Sequence, residues 1–202
     1  MKITLIGATG NAGSRILAEL LTRGHTVKAI ARHVEKVAAH AHVEAASADV
    51  NDQARIGSLI AGSDAVISAV KFTELDIDKL IDTVQRSGVR RLLVVGGAGS
   101  LWLAPGVREV DGPNFPPHVK PEALKGALFL DKLRASTLDW TFLSPSRIFF
   151  AGKRTGQFRL GEDTLLFDAD GKSSISFEDY AMALVEETET PRHARSRFTV
   201  GY

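Results

Sequence analysis

Three glycines spaced three residues apart stand near the start of the chain, in the stretch LIGATGNAGSRILAELL that covers residues 5–21. The residues before them, KITLIG, have the β-branched and apolar character of a short buried strand. The residues after them change to helical spacing, with an apolar stripe that includes Ile16, Leu17 and Leu20. The chain is therefore predicted to turn sharply from a strand into a helix at these glycines, and the helix is predicted to end at Gly24.

Each glycine of this turn has its own physical reason to lack a side chain. Gly7 permits the tight turn after the strand, Gly10 lets the backbone approach a phosphate, and Gly13 permits close packing of the helix on the strand. The start of the helix then offers free N–H groups and a positive dipole end to an anion. A glycine motif alone is unspecific and could serve packing only, but the strand–turn–helix context favours a pyrophosphate site. The predicted binding residues are Gly7, Thr9, Gly10, Asn11, Ala12 and Gly13.

Strand-like and helix-like segments alternate along most of the chain. The strand-like segments HTVKAIAR, VEAASADV, DAVISAV and VRRLLVVGG are separated in part by helical patterns over residues 52–62 and 75–87. This alternation predicts an α/β fold, a doubly wound and mostly parallel sheet with helices on both faces. A further helix is expected at 121–135, followed by a strand, LDWTFLSP, that Pro145 ends.

Two regions depart from the alternation. Residues 98–121 contain five prolines and three glycines without periodicity, and a loop of this length is usually a lid or a binding loop. Residues 146–202 hold short strand-like pieces (GQFRL, TLLFD and RFTVGY) and one helix whose predicted N-cap is Ser176. We expect one domain over residues 1–202, in which about residues 146–202 form a small cap on the substrate side.

The end of the second strand indicates which nucleotide binds. In a sheet of this type it lies beside the adenosine ribose, where an acidic residue suits the 2′-hydroxyl of NAD and an arginine suits the 2′-phosphate of NADP. The chain reads Ala31-Arg32-His33, and Arg32 lies about 20 residues after the glycines. We expect NADP(H) as the preferred cofactor and NAD(H) as the second option. The alternative for Arg32 is a solvated surface arginine.

Other strands are predicted to end at the same edge of the sheet. Small residues there would let the cofactor approach, although the alternative is that they only pack and turn. The predicted cofactor contacts at these ends are Asp49, Val50, Ala69, Val70, Gly97, Ala98 and Pro145.

The segments GATGNAGSRI, AR after the second strand, ADV after the third and LDWTFLSP resemble the atypical short-chain dehydrogenases/reductases. More narrowly, the chain resembles bacterial NAD(P)H-flavin reductases, which are related to NmrA-like proteins and to biliverdin IXβ/flavin reductase. RTGQFRLGEDTLL, ISFEDYAMALVEE and RFTVGY extend this likeness over the whole chain. The resemblance implies an NAD(P)-binding Rossmann fold and a reductase that acts on a flavin such as FMN or on another small conjugated acceptor.

The Tyr-x-x-x-Lys pair that is typical of the wider family is missing from this chain. Leu184 stands four residues after Tyr180, and no residue follows Tyr202 in the sequence. A flavin needs less chemical help than a carbonyl, since stacking on the nicotinamide positions the two rings for hydride transfer.

Three side chains are candidates for catalysis. Ser100 follows the fifth strand and would donate a hydrogen bond to the acceptor, although it is equally typical of a turn. His118 lies in the long loop and would relay a proton, since histidines titrate near neutral pH, although a lone loop histidine is often only solvated. Lys125 lies in the region of the missing pair. Arg147 and Arg154 would attract an anionic acceptor such as FMN, or are surface charges.

Composition narrows the function classes. The 25 Lys and Arg nearly balance the 24 Asp and Glu, so charge gives no support for a nucleic-acid or membrane partner. Without cysteine the chain has no thiolate chemistry, which fits a cytoplasmic location, and its six histidines lack metal-ligand spacing. We expect a small-molecule substrate, no metal, and a monomer or a homodimer.

The leading hypothesis is an NADPH-dependent oxidoreductase. An NADP-binding, NmrA-like redox sensor or regulator without turnover is the first alternative, and an epimerase- or dehydratase-type enzyme is the second. The fold does not choose among them, because function resides in the site.

Overall fold

The computed structural model describes all residues from Met1 to Tyr202. Its helices are α1 (Asn11–Thr22), α2 (Gln53–Ile60), α3 (Ile77–Arg86), α4 (Lys120–Ala135) and α5 (Phe177–Glu189). Its strands are β1 (Lys2–Ile6), β2 (Thr26–Ala31), β3 (Val43–Ser47), β4 (Ala65–Ser68), β5 (Arg91–Val95), β6 (Trp102–Ala104), β7 (Val107–Arg108), β8 (Asp139–Pro145), β9 (Ile148–Phe150), β10 (Arg159–Gly161), β11 (Ser174–Ser176) and β12 (Ser196–Gly201).

Eight strands form one sheet in the order β10-β12-β8-β5-β4-β1-β2-β3. Every neighbouring pair in this sheet is parallel except β10 with β12. The strand order reverses at β1, which lies between β2 and β4, and ligands bind outside the carboxyl ends of the strands at such a point. The predicted doubly wound, mostly parallel sheet of a Rossmann fold is confirmed.

Helices cover both faces of the sheet. On one face, α1 and α5 pack against each other and bury Ile16 and Tyr180. On the other face, α2, α3 and α4 bury Ile60, Leu80 and Phe129. Because both faces are covered, β4 is buried at every residue, which explains why its sequence shows no alternation. None of the five helices has the length and apolar character that crossing a membrane requires.

Three of the helices begin with a capping side chain. Asp52 caps α2 and Asp76 caps α3, each by accepting a hydrogen bond from the N–H three residues later, at 3.0 and 3.2 Å. Ser176 caps α5 in the same way at 3.0 Å, which confirms the predicted N-cap. Helix α1 differs, because Gly10 precedes it and offers no side chain to its first N–H groups.

The region 98–121 has more structure than its sequence indicated. It contains the hairpin β6–β7, whose turn includes Gly106 at φ +76°, and three short 3₁₀ turns. The N–H of Trp102 donates to the carbonyl of Asp163 at 2.8 Å, and the N–H of Leu165 donates to Trp102 at 3.0 Å. Elements of two or three residues leave no period in a sequence, so this hairpin was missed.

The region 146–202 contributes much more than a cap. Strand β12 pairs with β8 in the main sheet, and α5 belongs to the helical layer beside α1. Only the pair β9–β11 and the loops around it lie outside these layers. The strand-like piece TLLFD forms no strand and makes a single bridge, from Thr164 to Trp102. The sheet needs β12 because β8 would otherwise be an unprotected apolar edge.

Two glycines inside helices give a matched test of this packing. A Cβ on Gly57 in α2 would meet Thr83 at 3.7 Å, an ordinary contact, but a Cβ on Gly126 in α4 would lie 2.6 Å from the ring of Phe72. Gly57→Ala should raise the free energy of unfolding by about 1 kcal/mol, because alanine favours the helix. Gly126→Ala should lower it by about 1–3 kcal/mol, because Phe72 is packed edge-on against Phe129. Urea denaturation measures both, and a more stable Gly126→Ala variant would contradict the packing.

Candidate functional site

Backbone contact explains two of the three glycines before and within α1. Gly7 has φ +87°, and a Cβ there would lie 2.6 Å from the carbonyl oxygen of Ala69. A Cβ on Gly13 would lie 2.1 Å from the carbonyl oxygen of Gly7. Gly10 is different, since its backbone is extended (φ −71°, ψ 170°) and the nearest contact of a Cβ would be 3.4 Å. Packing within the protein therefore does not require glycine at position 10.

The N-terminus of α1 carries donors that nothing in the protein satisfies. No side chain caps this helix, and the N–H groups of Asn11, Ala12 and Gly13 have no acceptor. The first helical hydrogen bond runs from Ser14 to the carbonyl of Gly10, at 2.9 Å. These free donors lie at the positive end of the helix dipole, next to a residue without a side chain. Such an arrangement fits the pyrophosphate of a dinucleotide.

A first cleft of about 340 Å³ lies at the carboxyl ends of β1, β2, β3 and β4. It lies at the reversal of the strand order, where the fold places ligands. Eight of the residues predicted to bind the cofactor line this cleft, namely Gly7, Thr9, Gly10, Arg32, Asp49, Val50, Ala69 and Val70. Asn11, Ala12 and Gly13 form the adjoining first turn of α1.

Arg32 follows β2 with its side chain 65% exposed, and it donates to the carboxylate of Glu74 at 2.7 Å. Glu74 lies in a 3₁₀ turn after β4 and lines the same cleft, as do Lys36 and Lys71. Since β1 lies between β2 and β4, this ion pair joins two sides of the cleft. Sequence reasoning missed Glu74 and Lys71, because only the order of the strands brings their turn beside Arg32.

A second, larger cleft of about 550 Å³ lies at the carboxyl ends of β5 and β8. The predicted Gly97, Ala98 and Pro145 line it. Because β4 and β5 are neighbours in the sheet, the two clefts are adjacent along the same edge. The wall of the second cleft includes four aromatic rings that the sequence did not single out, those of Phe72, Phe115, Phe149 and Phe167.

Three charged residues line the second cleft, and each has partners within the protein. Arg147 donates to both carboxylate oxygens of Glu109, at 2.6 and 2.8 Å, and this pairing raises the pKa of Arg147. Glu122 accepts from the N–H of Phe72 at 2.6 Å, and from the N–H and hydroxyl of Thr73 at 2.8 and 2.7 Å. The charged wall therefore has one net negative charge and no unpaired cation.

Comparison with known proteins agrees with this geometry. A family described as NAD(P)H-binding matches residues 7–191. The chain belongs to this NAD(P)H-binding family. The YwnB protein of Bacillus subtilis is 40% identical over 211 residues, which cover 99% of this chain and 98% of YwnB.

Solved structures of other proteins are also similar to this NAD(P)H-binding protein. A "putative epimerase" from Bacteroides thetaiotaomicron is 42% identical with a TM-score of 0.95, and the match covers 100% of this chain and 96% of that one. A "putative NADH-flavin reductase" from Streptococcus pneumoniae is 35% identical with a TM-score of 0.83, over 100% and 99% of the two chains. The resemblance to NAD(P)H-binding reductases is confirmed.

The three side chains predicted as catalytic do not meet in the site of this NAD(P)H-binding protein. Ser100 lines neither cleft, and its hydroxyl oxygen accepts a hydrogen bond from Arg197 at 3.2 Å. His118 is exposed in the turn before α4. Lys125 lines a separate shallow hollow between α3 and α4 and neither of the two clefts. The catalytic role of these three residues therefore stays a prediction, and the lining of the two clefts does not support it.

The tyrosines of the chain also lie outside both clefts. Tyr180 is buried and donates to the carbonyl of Leu143 at 2.7 Å, and burial raises the pKa of Tyr180 well above its ordinary value. Tyr202 donates to Asp179 at 2.8 Å, and burial raises the pKa of Tyr202 as well. Neither phenol is placed to exchange a proton with a ligand in these clefts.

Gly10→Ala should separate cofactor binding from folding. The extended backbone accepts alanine, so the free energy of unfolding should fall by no more than about 1 kcal/mol, the cost of alanine in place of glycine at an N-cap. Affinity for NADPH and for NADH should fall together by about tenfold, because the methyl group would occupy the approach of the pyrophosphate that both share. Calorimetric titration measures the affinities and urea denaturation the stability.

Gly13→Ala provides the contrast, because its Cβ would overlap the Gly7 carbonyl and should destabilise the fold. Unchanged affinity of Gly10→Ala for both nucleotides would argue against the phosphate site at α1.

Proposed function

We propose that this protein is an NADPH-dependent oxidoreductase that passes hydride to a flavin or another small conjugated acceptor. The proposal depends on one observation, which is that an apolar, aromatic-lined cleft lies directly beside the dinucleotide cleft on one edge of the sheet. The Streptococcus pneumoniae relative described as a "putative NADH-flavin reductase" supports the same class of reaction.

In this proposal the residues of the chain bind, position and shield the reactants. When bound, NADPH supplies a hydride from C4 of its nicotinamide. The N–H groups of α1 hold the pyrophosphate, Gly97 and Ala98 leave space for a flat ring beyond β5, and the phenylalanines of the second cleft exclude water. Because Glu109, Glu122 and Arg147 are all engaged, no charged group of the second cleft is free to relay a proton. Such a site suits an acceptor whose reduction depends on position.

The same lack of a free acid or base supports a second candidate, an NADP-binding redox sensor of the NmrA-like kind that binds the cofactor without turnover. An epimerase or dehydratase, the class of the Bacteroides thetaiotaomicron relative described as a "putative epimerase", is less favoured. Those reactions need a side chain that takes up and returns a proton, and both tyrosines lie outside the clefts.

The proposed preference for NADPH over NADH depends on Arg32. Its exposed guanidinium lines the first cleft at the end of β2, where the 2′-phosphate of the adenosine ribose is expected. Glu74 competes with that phosphate for the same guanidinium, and as a like charge it also repels the phosphate. The preference for NADPH is therefore expected to be moderate.

Two substitutions test this preference in opposite directions. Arg32→Ala should weaken NADPH binding by about tenfold and leave NADH binding within about twofold, because only NADPH carries the 2′-phosphate. Glu74→Gln should tighten NADPH binding by about threefold, because Arg32 no longer exchanges one anion for another. Calorimetric titrations at low ionic strength measure these constants. If Arg32→Ala lost affinity for NADPH and NADH equally, Arg32 would not be the ligand of the 2′-phosphate.

The first activity measurement is NADPH oxidation by the purified protein with and without a flavin, with NADH in parallel. We expect flavin-dependent oxidation with a higher kcat/KM for NADPH than for NADH. A panel of quinones serves as the second set of acceptors. Tight NADPH binding without oxidation in the presence of any of these acceptors would favour the sensor.

A further inference from the structure

We infer that the second cleft selects flat, uncharged acceptors over anionic ones, and that Glu109 determines this selectivity by neutralising Arg147. The inference rests on the proposed function, because it names the chemical class of the acceptor in the same cleft. It departs from the simplest expectation for Arg147, which is that an arginine beside an acceptor site attracts the phosphate of FMN.

The geometry of the Arg147–Glu109 pair neutralises the arginine beside the cleft. Nε and one terminal nitrogen of Arg147 donate to the two carboxylate oxygens, so one bidentate edge of the guanidinium is occupied and its charge is neutralised, although the side chain stays 44% exposed. The guanidinium carbon also lies 5.5 Å from the ring centroid of Phe167, within the range of a cation–π contact. Glu109 is only 6% exposed, and a carboxylate buried this far does not leave its cation without a large cost.

No other positive charge of the second cleft compensates for the loss of Arg147. Its remaining charged residue is Glu122, whose carboxylate accepts three hydrogen bonds but keeps its negative charge. Arg154, the other arginine considered for anion attraction, pairs with Glu19 of α1 at 2.9 Å and lines neither cleft. A phosphate, with a charge of roughly −1.5 to −2 at neutral pH, would therefore enter a wall of net charge −1.

The rest of the wall favours an uncharged aromatic ring. Phe72, Phe115, Phe149 and Phe167 supply apolar surface and ring faces, and a cleft of about 550 Å³ is within the size range of small-molecule sites. The apolar wall and the lack of an unpaired cation both favour an uncharged aromatic ligand. Riboflavin or an unsubstituted quinone has this chemistry, whereas FMN carries a phosphate on the ribityl chain of the same flavin.

Riboflavin and FMN form a matched pair for the test, since they differ only in the phosphate. Protein saturated with NADP⁺ is titrated with each flavin, and quenching of flavin fluorescence gives the dissociation constants. We expect riboflavin to bind about fivefold more tightly than FMN at low ionic strength. The difference should narrow when salt is raised from about 0.05 to 0.5 M, because the repulsion is screened. This salt series uses the unchanged protein and needs no variant to fold.

Glu109→Gln should improve FMN binding by about tenfold and leave riboflavin binding within about twofold, because it removes a negative charge and no longer neutralises Arg147. Glutamine still accepts a hydrogen bond from Arg147, so the loop should keep its position. Glu44→Gln is the matched control, since it removes the same charge near the amino end of β3, away from both clefts. The control should leave the ratio of the two flavin affinities unchanged.

FMN binding as tightly as riboflavin, or no binding of either flavin, would overturn the inference. If Glu44→Gln changed the ratio of the riboflavin and FMN affinities as much as Glu109→Gln does, Glu109 would not be the cause of the selectivity. Riboflavin binding that follows the expected pattern without any NADPH oxidation would support the selectivity of the cleft and reject the proposed reductase activity.

Discussion

The close approach of α1 to the end of β1 is the contact on which the rest of the site depends. A Cβ on Gly13 would lie 2.1 Å from the Gly7 carbonyl oxygen, so the helix sits at a distance that only glycine allows. This position brings the unpaired N–H groups of α1 to the carboxyl edge of the sheet. The same helix also packs against α5, where Arg15 pairs with Glu178 at 3.0 Å. The helix that presents the phosphate site is thus the one on which α5 packs.

The central fold could be predicted from the sequence because its determinants are local. Strands β1, β2, β4, β5 and β8 are apolar runs that end at glycine, proline or small residues, and the helices between them show clear periodicity. The region 98–121 and the placement of β12 could not be predicted in this way. Pairing of β12 with β8 joins residues more than 50 positions apart, and nothing in the local pattern of either strand specifies the partner.

The same distinction between local and long-range determinants applies to the candidate site. Residues at the carboxyl ends of parallel strands share one edge of the sheet regardless of loop conformation. Arg32, Asp49 and Ala69 were therefore expected near the glycine turn, and they line the first cleft. The ion-pair partners Glu74 and Glu109 come from short turns whose position depends on tertiary structure. The predicted catalytic side chains line neither cleft, because the position of a turn or of α4 relative to the sheet edge depends on tertiary structure.

The two arginine–glutamate pairs at this edge differ in how easily a ligand can exchange with them. Arg32 and Glu74 are 65% and 39% exposed, so water and salt screen their attraction and a phosphate can replace the carboxylate. Glu109 is 6% exposed and bound through both oxygens, so replacing it would leave a buried charge unpaired. Glu109 also belongs to the segment after the β6–β7 hairpin, whereas Arg147 follows β8, so their pair fastens that segment against the sheet edge. Charge and shape of the second cleft are therefore coupled, because a ligand that displaced Glu109 from Arg147 would also release the wall that encloses it.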